Sequence, residues 1–124
     1  MKRLKVYEYA NCSTCKKALK FLDKKKISYD RIAIVETPPS KTELKKMLAH
    51  YDGQLGKLFN TSGVVYREMK LGEKLKKMPT DEALALLASN GKLVKRPFLL
   101  SDDIGLVGFK EDEWSNLSSR VKKL

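Results

Sequence analysis

The feature that most constrains this chain lies in its first 35 residues, where a strand pattern, a helix pattern and a second strand pattern follow one another with short joints. Leu4, Lys5, Val6, Tyr7, Glu8 and Tyr9 alternate and are rich in β-branched and aromatic residues, as a strand is. Ala10 to Thr14 form a short connection. From Cys15 the small and apolar residues fall at Cys15, Ala18, Leu19 and Leu22, the i, i+3, i+4, i+7 spacing of one helix face, with Lys16, Lys17, Lys20 and Lys24 mostly off it. After a turn at Lys25-Lys26, residues Ile27 to Val35 read as a second strand carried by Tyr29, Ile32 and Ile34. Such a succession is a βαβ unit, whose two strands are expected to lie parallel.

The middle of the chain changes period. Thr37-Pro38-Pro39 breaks the strand, and Ser40 with Glu43 three positions on is a capping box, predicting a helix that buries Leu44, Met47, Leu48 and Tyr51 and stops at Asp52-Gly53. Between Gln54 and Met78 the pattern predicts short helical pieces separated by Asn60-Thr61-Ser62-Gly63 and by Gly72, with no strand. Pro79-Thr80-Asp81-Glu82 opens another helix with acids at its positive end, a core stripe of Ala83, Leu84, Leu87 and Ala88, and a glycine stop at Asn90-Gly91.

Strand patterns return at Phe98-Leu99-Leu100 and from Ile104 to Phe109, a hairpin around Ser101-Asp102-Asp103. A closing helix opens at Glu111, Asp112 and Glu113, with Trp114, Leu117 and Val121 at helical spacing. The expectation is one α/β domain over 1–124: a mixed sheet from 1–36 and 92–124, with a helical block over 37–91 inserted between its halves.

Composition narrows the function classes. With 42% hydrophobic and 33% charged residues the chain falls among globular proteins rather than disordered ones. No run of about 18 apolar residues offers a membrane span. Charges in Met1-Lys2-Arg3-Leu4-Lys5 interrupt any signal-peptide core, so a cytoplasmic location is expected by elimination. Lys and Arg number 26 against 15 Asp and Glu, a net +11, and residues 1–30 hold nine basic and three acidic side chains. That balance favours anionic partners. No aromatics interleave with the basic residues and no base-reading motif occurs, so specific nucleic-acid binding is not expected.

The cysteines carry the chemistry. Cys12 and Cys15 are the only two. With one His, His50, they supply too few ligands for a zinc site, which needs about four, unless a second chain contributes, so no metal is expected. A structural disulfide across so small a loop would restrict the unfolded chain little. Cys12 falls just after a strand and before a helix, where unpaired N–H groups and the helix dipole favour an anion; its thiol pKa should be lowered. Cys15, one turn on, can attack a mixed disulfide formed on Cys12. This is the thioredoxin-type arrangement. The plainer alternative is that Cys15 is a small core residue on the buried stripe and Cys12 an ordinary thiol. Thioredoxin-like proteins place a cis proline before their third strand, and Pro97 precedes Phe98. In that geometry Arg96 faces Cys12, where a guanidinium lowers a thiol pKa or holds an oxyanion through two hydrogen bonds. Otherwise Arg96 is a surface loop residue, and Arg67, beside Glu68, is as easily a solvated helix residue.

The run Tyr9-Ala10-Asn11-Cys12-Ser13-Thr14-Cys15-Lys16-Lys17-Ala18, then Phe59-Asn60-Thr61-Ser62-Gly63 leading to Tyr66-Arg67-Glu68, then Leu93-Val94-Lys95-Arg96-Pro97, then Val107-Gly108-Phe109-Lys110-Glu111 resembles the arsenate reductase and Spx family, over residues 4 to 118. The resemblance implies a thioredoxin-like sheet with a helical insertion. It makes Cys12 the nucleophile and Arg96 and Arg67 the oxyanion-binding arginines, with Asn11, Ser13, Thr14, Lys16 and Pro97 supporting the site. It also implies no bound cofactor, and glutathione with glutaredoxin, or thioredoxin, as electron donor to a small oxyanion or thiol substrate. In the reductases the Cys15 position is usually Ser, and a third arginine lies where this chain has Phe109. The Cys-x-x-Cys pair resembles instead the Spx branch, whose members switch by a disulfide and bind the C-terminal domain of the RNA polymerase α subunit; Gly53 falls about where that branch has a contact glycine.

Overall fold

A computed structural model of the protein describes residues 4–117. Four strands, β1 (Leu4–Glu8), β2 (Tyr29–Ala33), β3 (Phe98–Leu100) and β4 (Gly105–Val107), form one sheet in the order β2-β1-β3-β4. β1 and β2 pair in parallel, with Val6 opposite Arg31, because helix α1 (Ser13–Lys24) returns the chain to the same end of the sheet. β3 runs antiparallel to both β1 and β4, with Val6 opposite Leu99 and Leu99 opposite Leu106. The sheet is therefore mixed, as expected for this class.

Alternation along the strands sorts the core into two layers. Tyr7, Phe98 and Leu100 face one side. There they pack with Leu44 and Met47 of α2 (Lys41–His50), and with Ala83, Leu84 and Leu87 from a later helix. Val6 and Leu99 face the other, with Ala18 and Leu22 of α1 and with Trp114 and Leu117. β3 is covered on both faces, which is why it reads as three apolar residues in a row rather than alternating.

Between β2 and β3 the chain is helical: α2, a 3₁₀ turn at Leu55–Leu58, α3 (Val64–Glu68), α4 (Leu71–Lys74), α5 (Thr80–Ser89) and a 3₁₀ turn at Gly91–Leu93; α6 (Glu111–Trp114) follows β4. The capping box is formed, Ser40 Oγ accepting from the Glu43 N–H and the Glu43 carboxylate accepting from the Ser40 N–H. Asp52 and Gly53 end α2 in left-handed backbone, at φ 55° and 79°. Trp114 is fully buried, and its indole N–H donates to the Gly108 carbonyl at 3.1 Å.

Several local expectations differ from what forms. α1 starts at Ser13, two residues before Cys15, because Cys12 caps it. β2 is shorter than Ile27–Val35: it is an edge strand pairing only where it runs beside β1. Gly72 lies inside α4, and the break falls at Lys70, whose φ is 55°. The stretch expected to lack strand character contributes one bridge, Phe59 to Val94. Gly91 is not a left-handed helix stop; a Cβ there would collide with the Ile34 carbonyl oxygen, so close backbone approach requires the glycine. Val121 lies outside the described residues. No helix among the described residues is long and apolar enough to cross a membrane.

Candidate active site

Cys12 is the N-cap of α1. Its backbone is extended, its N–H donates to the Tyr9 carbonyl at 3.0 Å, and its carbonyl accepts the first helical bond, from the Lys16 N–H at 3.1 Å. Its Sγ accepts from the Cys15 N–H at 3.4 Å, so the sulfur does what a Ser or Asp oxygen does at other helix starts. Cys12 is half-buried; Cys15, on the stripe with Ala18 and Leu22, is fully buried. Both thiols are free.

The two sulfurs are electrostatically opposite. Burial by itself would raise the Cys12 pKa. The Cys15 N–H, the Cys15 thiol and the Arg96 guanidinium outweigh it, and the thiol falls below its ordinary range. Burial pushes the Cys15 thiol up to about 12. A hydrogen bond with the Tyr9 backbone opposes that rise, and the neighbouring Cys12 adds to it. Of the two thiols, Cys12 is the one that ionises more readily, and Cys15 holds its proton far more firmly.

Arg96 reaches Cys12 from the loop before β3. The Arg96–Pro97 bond is cis, which the sequence alone leaves open. Pro97 is buried, and its carbonyl accepts from the Gly108 N–H at 2.9 Å. The guanidinium carbon stands 4.8 Å from the centroid of the Tyr9 ring, and Nη1 is shielded from solvent with no hydrogen-bond acceptor. A buried guanidinium nitrogen with an unused proton, next to the Cys12 thiol, is suited to an anionic oxygen.

The remaining candidates are less closely tied to the pair. Asn11, Ser13 and Lys16 are exposed around the mouth of the site, and Thr14 is half-buried in the first turn. Arg67 is exposed in the last turn of α3. Among the described residues no hydrogen bond or ion pair joins it to Cys12, Cys15 or Arg96, and the cavity it lines with Tyr66, Lys70, Gly72 and Glu73 includes none of the three. Phe109 packs edge-on against Trp114, ring centroids 5.1 Å apart. Tyr9 is the neighbour of Arg96 and Cys12 that sequence reasoning missed as a side chain. It closes the alternating run of the first strand pattern, but its pairing with Arg96 joins segments far apart in the chain.

Residues 7–117 match the ArsC family model. The protein belongs to the ArsC family. It is 48% identical to YusI of Bacillus subtilis, over 90% of this chain and 94% of that one. Its structure superposes on that of a possible arsenate reductase from Streptococcus mutans UA159 with a TM-score of 0.84 and 37% identity, covering 93% and 99% of the two chains. It is also 27% identical to the global transcriptional regulator Spx of Streptococcus agalactiae, over 83% of this chain and 74% of the regulator. The fold is the thioredoxin-like fold of ArsC proteins, with Cys12 and Cys15 where β1 meets α1.

Proposed function

We propose that this protein is a cytoplasmic thiol-disulfide oxidoreductase in which Cys12 attacks, Cys15 resolves and Arg96 binds the anionic group of the substrate. The observation that carries the reading is the inequality of the two thiols: Cys12 lowered and half-exposed beside a shielded guanidinium, Cys15 raised and buried. An attacking thiol has to be a thiolate that substrate can reach, and a resolving thiol has to stay silent until its neighbour has reacted.

With a disulfide substrate, the Cys12 thiolate attacks one sulfur, the S–S bond breaks and the leaving thiolate departs. Cys15 then loses its proton and attacks Cys12 Sγ, releasing the second thiolate and closing a Cys12–Cys15 disulfide. With arsenate, Cys12 displaces an oxygen that leaves as water. Cys15 attack on Cys12 Sγ then returns the S–As electron pair to arsenic, which departs as arsenite. In either case two electrons leave the thiol pair, and glutathione with glutaredoxin, or thioredoxin, restores them. Arg67 enters as a second anion-binding residue by the family resemblance alone.

The test is thiol-coupled arsenate reduction, with glutathione plus glutaredoxin and separately with thioredoxin, in wild type, Cys12→Ser, Cys15→Ser, Arg96→Ala and Arg67→Ala. Turnover abolished in Cys12→Ser and strongly reduced in Arg96→Ala supports the reading; full turnover in Cys12→Ser contradicts it.

The likeness to Spx favours a second reading, a redox-switched regulator that binds the C-terminal domain of the α subunit of RNA polymerase. Gly53 is exposed, and a side chain there would meet open space, so its surface is accessible to a partner. Capture of that α subunit in one redox state of the pair supports this reading, and no capture in either state removes it.

A further inference from the structure

Along α1, beyond its first turn, that helix and the turn after β4 frame a groove of about 390 Å³. Its rim carries Lys17, Lys20, Lys24 and Lys25, and its floor is formed by Phe21 and Phe109. Glu111 is the one carboxylate lining it. All four lysines are exposed, and none is engaged in an ion pair among the described residues. The two rings stand 5.7 Å apart and both lean edge-on against the buried Trp114. Lys25 Nζ lies 5.8 Å from the Phe21 centroid, which brings positive charge directly over the apolar surface.

An apolar floor ringed by cations fits an apolar side chain flanked by carboxylates, the anatomy of a protein interface centre and its charged rim. Edge-locked, half-buried rings suit such an anchor better than the stacked bases of a nucleic acid, which need open ring faces. The groove also lies within reach of the chemistry. α1 rises about 1.5 Å per residue, so Lys17 and Lys24 lie about 8 and 18 Å along the axis from Cys12. A standard interface covers about 800 Å² per partner, a disc about 16 Å in radius, enough to span the groove and the thiol together.

We propose that this groove docks the acidic surface of the protein dithiol that reduces the Cys12–Cys15 disulfide. The proposal rests on the thiol-disulfide function given above and names the character of its electron donor. The donor thiolate attacks Cys12 Sγ, the reachable sulfur, and the Cys12–Cys15 bond breaks. Cys15 leaves as a thiolate and takes up a proton. The donor's second thiolate then attacks the donor sulfur of the mixed disulfide and releases Cys12. Two electrons enter the pair and the donor leaves as a disulfide.

The experiment reduces the oxidised protein with thioredoxin, with glutaredoxin plus glutathione, and with dithiothreitol, over a range of salt concentrations. The variants are Lys20→Glu/Lys24→Glu, the neutral Lys20→Gln/Lys24→Gln, and Lys76→Glu/Lys77→Glu, which changes net charge equally at another exposed site. The expected result is a loss of about tenfold in the second-order rate constant with the protein donor for the charge-reversed pair. The neutral pair should lose about two- to threefold, and salt should slow wild type more than either. Dithiothreitol rates, and all rates for the Lys76/Lys77 variant, should stay within about twofold of wild type. Unchanged donor rates overturn the proposal, as does an equal loss in the Lys76/Lys77 variant or with dithiothreitol. So does a labelled single-stranded oligonucleotide released by the Lys20/Lys24 reversal while donor rates hold, which assigns the groove to a nucleic-acid backbone. A wild type that forms no Cys12–Cys15 disulfide overturns the function and the docking together; one that cycles normally yet ignores the lysine changes overturns the docking alone.

Discussion

The guanidinium of Arg96 rests on the ring of Tyr9, 4.8 Å from its centroid, and Tyr9 in turn accepts the Cys12 N–H on its backbone carbonyl. One residue thus touches both the cap that holds the thiol and the cation that favours its thiolate. A cation–π contact of this kind is worth about 0.5–1 kcal/mol. Tyr9→Leu, by loosening the guanidinium that favours the thiolate, should raise the Cys12 pKa, read from the pH dependence of iodoacetamide alkylation. Tyr9→Phe should match wild type, and Tyr9→Leu should add nothing in an Arg96→Ala background.

The thiols should also separate by pH in the native protein. With Cys12 lowered and Cys15 pushed up to about 12, alkylation at pH 7 should modify Cys12 alone. Peptide mapping after a short pulse checks this. In Cys15→Ser the rate at Cys12 should remain within about threefold of wild type, because the backbone N–H that caps the sulfur is kept.

Glu43 ties the sheet to α2. Its carboxylate accepts from Tyr7 O–H at 2.6 Å and from the Ser40 N–H at 3.0 Å, and pairs with Lys5 at 3.0 Å. Burial would raise its pKa, but the Tyr7, Ser40 and Lys5 contacts outweigh that and hold it below the ordinary carboxylate range. The unfolded chain then binds the proton more readily. Glu43 stabilises the fold above about pH 4.3, and that contribution is lost as pH falls through its lower native value. Glu43→Gln should flatten the acid limb of a thermal-midpoint profile. Glu43→Ala, which leaves the Tyr7 hydroxyl without its acceptor, should cost about 1–3 kcal/mol near neutral pH.

Gly91 is held by contact rather than by backbone angle. Because an added methyl would meet the Ile34 carbonyl, Gly91→Ala should destabilise by about 2–3 kcal/mol in urea titration. Gly53→Ala, with open space around it but φ at 79°, should cost less, about 1 kcal/mol.

The contrast between Gly53 and Gly91 shows what is legible in a sequence. Local rules place the Ser40–Glu43 cap, the Asp52-Gly53 stop and the α1 stripe, since each depends only on residues a turn apart. The βαβ order is legible because the period changes twice within 35 residues. Gly91 reads as another helix stop because its real constraint, the Ile34 carbonyl, comes from a segment far away in the chain. The Tyr9 ring under Arg96 is hidden for the same reason, and so is the groove where Phe109 meets Phe21. Cys12 is readable as a thiol between a strand and a helix start, but its capping role and its approach to the guanidinium are matters of local and tertiary geometry.

The division of labour between the cysteines is the central claim, and trapping with glutathione disulfide tests it most directly. By intact mass, wild type should end as an intramolecular Cys12–Cys15 disulfide with no glutathione retained. Cys15→Ser should hold one glutathione on Cys12, and Cys12→Ser should stay unmodified. Wild type that retains glutathione, or Cys12→Ser that reacts as fast as wild type, would contradict the account.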